Sequence, residues 1–190
     1  MKLILASSSP QRRRLLTDAG YEFEVIPPAE HAECEPEPEE PPVDYAARMA
    51  YQKAVDVAGR AHDGVIVACD TIVECGGQIL GKPADVSDAR RMLLALSGET
   101  HHVFSGLCLW PRPDGKPVVR TAETRLVMNR LSSDVLEEYL ASGAWAGKAG
   151  AFGYQDRTGW LQLVAGSESN VIGLPLELLG EMLAELPSRY

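Results

Sequence analysis

The sequence lacks the cysteine patterns that are typical of zinc sites and of disulfide scaffolds. The 190-residue chain contains no Cys-x-x-Cys pair and no His-x-x-x-His pair, and its four cysteines are widely spaced: Cys34, Cys69, Cys75 and Cys108. This spacing gives no signal of a metal-binding motif or of a disulfide framework. We therefore expect reduced thiols.

Long apolar segments and a surplus of basic residues are also missing. No segment approaches the roughly 20 apolar residues of a membrane helix, and the apolar start at 2–6 is too short for a secretory signal. With 18 Lys and Arg against 27 Asp and Glu, the net charge is −9, which disfavours sequence-independent binding of nucleic acid. We expect a cytoplasmic protein that binds no membrane and forms no stable complex with nucleic acid.

Several common enzyme motifs are absent. The chain has no Walker A pattern and no Gly-x-Gly-x-x-Gly after a strand, which argues against P-loop, kinase and dinucleotide-binding proteins. His101 and His102 occur without a matching nucleophile elbow, so a hydrolase triad is not indicated.

The chain is long enough to form a globular fold with its own core. Its composition, with 45% hydrophobic and 24% charged residues, is ordinary for such a fold. No linker or repeat divides it, so we expect one domain over 1–190. Strand-like and helix-like segments alternate irregularly, which predicts an α/β fold with a mixed sheet and flanking helices. The expected strands cover 2–6, 21–26, 65–73, 79–80, 103–110, 118–128 and 160–164. The expected helices cover 10–19, 44–61, 87–96, 132–143 and 174–186, with N-caps at Ser9, Asp44, Ser87 and Ser132.

Three consecutive arginines, Arg12, Arg13 and Arg14, occupy the first turn of the first predicted helix. The helix macrodipole disfavours a cation there by roughly 0.3–1 kcal/mol. Either these are ordinary surface residues after a Ser-Pro cap, or an anion such as phosphate binds here. Because successive helical residues diverge by about 100°, one or two of the three should be exposed.

Asp70 lies within 65–73, a run apolar enough to be buried on both faces of a sheet. A buried carboxylate costs several kcal/mol unless a cation compensates it. Asp70 either ends the strand in a turn or belongs to a functional site, and strand ends are where α/β proteins place such sites.

Further cations stand at the ends of elements. Lys53 falls inside the apolar stripe of its helix, so it either points inward or extends along the stripe to water. Lys82 and Lys148 lie in glycine-containing loops. Several cations around few carboxylates are typical of a site for a metal-bound polyphosphate.

The ordered motifs resemble those of the Maf proteins, nucleotide pyrophosphatases related in fold to the inosine triphosphate pyrophosphatases. The resemblance extends through nearly the whole chain. It is carried by 3–10 with Arg12, by 50–54, by Cys69-Asp70-Thr71-Ile72-Val73, by Gly81-Lys82-Pro83, by Leu96-Ser97-Gly98, by 148–155 and by 171–176.

The resemblance implies two lobes around a deep cleft, a possible homodimer, and cleavage of a nucleoside triphosphate to monophosphate and pyrophosphate with Mg²⁺ or Mn²⁺. By the same resemblance, Asp70 would activate water or hold the metal. Glu30 would be the second metal carboxylate, with Glu33 as its alternative. The residues that it implies for phosphate binding are Ser7, Ser9, Arg12, Lys53 and Lys82, of which the two lysines would also act in catalysis.

The resemblance also has implications for the nucleobase of the substrate. Thr71, Lys148 and Gln155 resemble the branch that acts on dTTP and UTP. Gln11 stands where that branch usually has arginine, and Gly147 stands where it usually has aspartate. Two alternatives remain at this point: a 7-methyl-GTP pyrophosphatase, or a nucleotide-binding regulator of septum formation and cell division.

Overall fold

The computed structural model describes residues 1–29, 32, 34–156 and 159–187. Within them, the strands are β1 Leu3–Leu5, β2 Phe23–Val25, β3 Gly64–Cys75, β4 Gln78–Leu80, β5 Thr100–Arg112, β6 Val118–Met128 and β7 Leu161–Ala165. The helices are α1 Pro10–Asp18, α2 Pro42–Ala58, α3 Val86–Leu96, α4 Ser133–Ser142, α5 Glu168–Ile172 and α6 Leu176–Ala184.

The strands form one mixed sheet in the order β2-β1-β3-β5-β6-β7, with β4 also paired to β3. The pairs β2·β1 and β1·β3 are parallel, whereas the remaining pairs are antiparallel. A mixed α/β sheet with flanking helices is therefore confirmed.

One edge of the long strand β3 is interrupted. β5 follows β3 along one edge from Gly64 to Glu74, while on the other edge β1 pairs with residues 65–67 and β4 with residues 73–75. Residues 68–72 therefore lie between two short partner strands, next to the point where β1 ends and the chain enters α1. This gap contains Asp70 and Thr71.

The sheet is covered differently at its two ends, which gives the molecule two lobes. At the β1 end, one face packs against α1 and α6 through residues that include Leu5, Leu16, Val67, Leu107 and Leu179. The opposite face of that end packs against α2. The other end packs against α3 and α4 through Val73, Leu93, Val103, Leu126 and Leu140.

Gly106 allows α2 to lie directly on the sheet. It is paired with Asp70 across β3 and β5, and a Cβ built on it would lie 2.2 Å from the carbonyl oxygen of Ala46. Any side chain there would force α2 away from the strand that carries Asp70.

The structure corrects two expected helix caps. α2 begins at Pro42, and proline is well suited to the first position of a helix. Asp44 therefore lies inside the first turn and is not the cap. α3 is capped by Asp85, whose side chain accepts from the N–H of Asp88, and Ser87 lies one residue inside the helix. Ser9 and Ser132 cap α1 and α4 as expected. No helix within the described ranges is long and apolar enough to cross a membrane.

Candidate active site

Lys53 and Asp70 form a largely buried ion pair beside the gap in the sheet. The Nζ of Lys53 lies 2.5 Å from Oδ1 of Asp70, and their side chains are 5% and 17% exposed. Lys53 points inward from the apolar stripe of α2, in line with the first of its two expected orientations. The pair places the Asp70 carboxylate, bound by the Lys53 ammonium, beside the gap in the sheet.

Asp70 and Thr71 are consecutive in β3, so their side chains project to opposite faces of the sheet. Asp70 faces α2, as its contact with Lys53 shows. Thr71 faces α1 and α5, where its hydroxyl lies 2.8 Å from that of the fully buried Ser105 and 3.2 Å from the carbonyl oxygen of Gly173. The site therefore wraps around one strand at the gap.

Arg12 is anchored on the Thr71 side. Its guanidinium donates from Nε to the carbonyl oxygen of Gly173 at 2.8 Å, from Nη1 to Oγ of Ser7 at 3.2 Å, and from Nη2 to Oγ1 of Thr71 at 3.3 Å. Arg13 and Arg14 are exposed. The divergence expected from helical geometry is confirmed.

The strand-to-helix turn supplies further polar groups. Ser7 is buried, and its hydroxyl also accepts from the N–H of Ser9 at 3.2 Å. The Ser9 hydroxyl caps α1 through the N–H of Arg12 at 3.4 Å and donates to Oε1 of the exposed Gln11 at 3.0 Å. These hydroxyls and Arg12, at the N-terminus of α1, form a surface suited to an anion.

The other two lysines expected in the site, Lys82 and Lys148, lie in loops that are joined to each other. Lys82 is exposed on the loop after β4, and the carbonyl oxygen of neighbouring Gly81 accepts from the N–H of Gly150, so the Lys82 and Lys148 loops are joined. Lys148 is held by both carboxylate oxygens of Asp156, at 2.5 and 2.6 Å, and Gln155 is exposed. The contacts of the described residues join none of Lys82, Lys148 and Gln155 to Asp70.

A thiol also lies in the site, but burial keeps it protonated. The Sγ of Cys69 donates to the carbonyl oxygen of Gly173 at 3.4 Å. Burial raises the pKa of this thiol above its ordinary value, an effect that the nearby Arg12 charge only partly offsets. Cys69 is therefore a neutral donor and not a nucleophile.

The expected second metal carboxylate, Glu30 or Glu33, lies outside the described residues. Among the described residues no group of three or more His, Cys, Asp or Glu side chains is arranged to hold a metal. The carboxylate of Asp70 nevertheless fits Mg²⁺ or Mn²⁺, because Mg²⁺ binds enzymes through one or two carboxylates together with substrate phosphates.

Sequence reasoning assigned no role to three residues that contact the expected site residues: Ser105, Asp156 and Gly173. Asp156 is anchored by the Tyr139 hydroxyl at 2.7 Å and the Gly153 N–H at 3.1 Å. Gly173 contributes only its backbone. A local pattern does not reveal such partners, although a glycine after a short polar segment indicates a helix end.

The fold places the chain in the class of mixed α/β proteins that includes Ham1. Its structure is similar to that of a HAM1 protein from Coxiella burnetii, with a TM-score of 0.50 and 17% sequence identity, covering 98% of this chain and 100% of that chain. At this identity the likeness concerns the fold alone.

Within that class, the chain belongs to the family described as Maf-like protein, whose model matches residues 2–186. The resemblance noted in the sequence is thereby confirmed. A relative named dTTP/UTP pyrophosphatase from Rhodopirellula baltica is 52% identical over 182 residues, covering 95% of this chain and 80% of the relative. Relatives with the same name from Sphingopyxis alaskensis and Geobacter sulfurreducens are 46% and 40% identical, each covering 92% of this chain and 90% or more of the relative.

Proposed function

We propose that this chain hydrolyses dTTP and UTP to the corresponding monophosphate and pyrophosphate. The observation that carries the proposal is that two consecutive residues of β3 contact groups suited to this reaction: the Thr71 hydroxyl accepts from the Arg12 guanidinium, and the Asp70 carboxylate accepts from the Lys53 ammonium. The names of the relatives support the same activity and the same bases. They give no support to a 7-methyl-GTP pyrophosphatase or to a regulator of septum formation.

In the proposed reaction, water attacks the α-phosphorus. A P–O bond forms from the water oxygen, and the bond from the α-phosphorus to the bridging oxygen of the β-phosphate breaks, so pyrophosphate leaves with the bond's electron pair. The Asp70 carboxylate accepts the proton of the attacking water. Lys53 holds and orients that carboxylate through its 2.5 Å contact with Oδ1.

The cations bind the charged part of the substrate. Arg12, with the hydroxyls of Ser7 and Ser9 and the N-terminus of α1, binds phosphate oxygens, and Lys82 and Lys53 offset charge that develops on the polyphosphate. Asp70 and Glu30 would hold a divalent cation, Mg²⁺ or Mn²⁺, which would neutralise phosphate charge when bound. Thr71, Gln11, Lys148 and Gln155 are assigned to binding of the nucleoside side of the substrate.

The direct test compares pyrophosphate release from dTTP, UTP, CTP, ATP, GTP and 7-methyl-GTP with Mg²⁺. We expect the highest kcat/KM for dTTP and UTP, and loss of activity in EDTA that Mn²⁺ restores. Hydrolysis in ¹⁸O-labelled water should place the label in the monophosphate. Label in pyrophosphate, release of orthophosphate, or preference for 7-methyl-GTP would contradict the proposal.

We also propose that 1–190 acts as one domain, that it works in the cytoplasm, and that it forms a homodimer. Sedimentation velocity of the purified chain tests the dimer, and a single cooperative unfolding transition tests the single domain.

A further inference from the structure

Three donors converge on the carbonyl oxygen of Gly173. They are Nε of Arg12 at 2.8 Å, Oγ1 of Thr71 at 3.2 Å and Sγ of Cys69 at 3.4 Å. Arg12 lies 161 residues away in the chain, at the start of α1. One backbone oxygen therefore joins the first helix, the central strand and the end of α5.

The conformation of Gly173 aims this oxygen at the site. Gly173 follows the last residue of α5 with φ 130° and ψ 6°, a conformation that only glycine adopts readily. Its N–H bonds to the carbonyl oxygens of Ser169 and Asn170. A Cβ on Gly173 would meet only Nε of Arg12, at 3.9 Å. Backbone conformation, and not lack of space, therefore requires glycine here.

The segment before Gly173 is fixed to the sheet. The buried amide of Asn170 donates from Nδ2 to the carbonyl oxygen of Val103 at 3.1 Å and to Oγ1 of Thr124 at 2.9 Å. Val103 lies in β5, which pairs directly with β3, the strand that contains Thr71. The same part of the sheet therefore fixes both the Gly173 carbonyl and Thr71.

These contacts orient the Arg12 guanidinium but do not use all of its N–H groups. Of its five N–H groups, three donate to Gly173, Ser7 and Thr71 within the described part of the chain. One N–H remains on each Nη. Two such donors are what a guanidinium needs to form paired hydrogen bonds with a phosphate.

We infer that Gly173 is a positioning residue, whose carbonyl oxygen orients the Arg12 guanidinium toward a phosphate group of the substrate. The inference rests on the proposed function for the identity of the substrate. Gly173 itself contributes no group to the reaction and acts through Arg12.

A double-mutant cycle on UTP hydrolysis tests this coupling. Gly173→Ala should lower kcat/KM by about tenfold or more, because small displacements of a positioning group have large effects. In the Arg12→Ala background the same change should cost less than about twofold, since the group that Gly173 orients is already gone. Equal costs in both backgrounds would overturn the inference.

Gly143→Ala is the matched control. Gly143 ends α4 with φ 68° and has open space around its Cβ position, so alanine there also meets an unfavourable backbone conformation. We expect its kcat/KM to stay within about twofold of wild type in both backgrounds. A tenfold loss would mean that backbone strain anywhere in the fold, and not the Arg12 contact, lowers activity.

A measurement on the unmodified chain covers the case in which Gly173→Ala does not fold. ¹⁵N NMR of arginine Nε–H groups, assigned with Arg12→Lys, should show slow solvent exchange for Arg12 and fast exchange for the exposed Arg13. Fast exchange at Arg12 would overturn the inference whether or not the protein hydrolyses UTP. Absence of pyrophosphate release from every nucleotide, with slow exchange at Arg12, would instead refute the proposed function alone.

Discussion

Lys53 and Asp70 meet 2.5 Å apart although they belong to different elements, one to the stripe of α2 that packs on the sheet and the other to the middle of β3. In the proposed function, the pair has both a structural and a chemical role. Removing the carboxylate charge deprives a buried ammonium of this partner, and it removes the base of the proposed reaction.

Asp70→Asn should lower kcat for dTTP by at least about 100-fold, the usual contribution of a general base. It should also lower the free energy of unfolding by about 3 kcal/mol, because one member of a buried ion pair is lost. Steady-state kinetics and urea unfolding measure the two effects.

The substitution Lys53→Met separates the effect on activity from the effect on stability. In the Asp70→Asn background it should recover part of the lost stability, because a buried ammonium is replaced by an apolar chain of similar length. Activity should not return with it. Recovery of both would show that Asp70 acts only through the fold.

Gln11 should set the margin of base selectivity. Its amide donates and accepts hydrogen bonds but lacks the charge and the second donor arm of arginine. We expect dTTP and UTP to be favoured over ATP and GTP in kcat/KM, and Gln11→Arg to widen that preference by several-fold. Arg13→Gln, at an exposed neighbouring position, is the control and should leave the ratio unchanged. An unaltered ratio in Gln11→Arg would remove Gln11 from base recognition.

Asp156 should govern how Lys148 contacts the nucleoside. Both of its oxygens hold the Lys148 ammonium, which orients the donor and offsets its charge. Asp156→Asn should therefore lower the kcat/KM ratio of UTP to CTP by about tenfold, with little change in hydrolysis of inorganic tripolyphosphate. The comparison variant is Tyr139→Phe, which removes another hydrogen bond to Asp156 but keeps the ion pair. A parallel loss for all substrates would indicate a purely structural role.

His101 should make stability depend on pH. It is 3% exposed, and burial lowers its pKa below the ordinary 6.5. Below pH 6.5 the unfolded chain therefore takes up a proton that the folded chain does not, so stability falls as the pH falls. His101→Phe should reduce the slope of unfolding free energy between pH 7 and 5.5 by at most about 1.4 kcal/mol per pH unit. His62→Asn, at an exposed site, should keep the wild-type slope.

Local patterns in the sequence were sufficient for much of the fold. The expected strand 118–128 coincides with β6, and Ser132 and Gly143 bound α4 as expected, because alternation and caps are encoded by neighbouring residues. The apolar stripe left two directions open for Lys53, inward or along the stripe to water, and the structure shows the inward one. α5 was missed because its five residues are too few to show a helical period.

The contacts that complete the site depend on distant parts of the chain. Gly173 bonds to Arg12 across 161 residues, and no period or cap relates the two. The misplaced caps have a local cause, since Asp85 and Pro42 compete with Ser87 and Asp44 for the same helix starts. The functional roles assigned to all of the expected site residues stay predictions that kinetics must test.

The strands β3 and β5 pass through both lobes without a break. Val67 and Leu107 pack in one lobe, while Val73 and Val103 of the same two strands pack in the other. Because these two strands are hydrogen-bonded in register from Gly64 to Glu74, both lobes share one continuous backbone frame, and we expect that neither lobe can be exchanged alone without breaking that pairing.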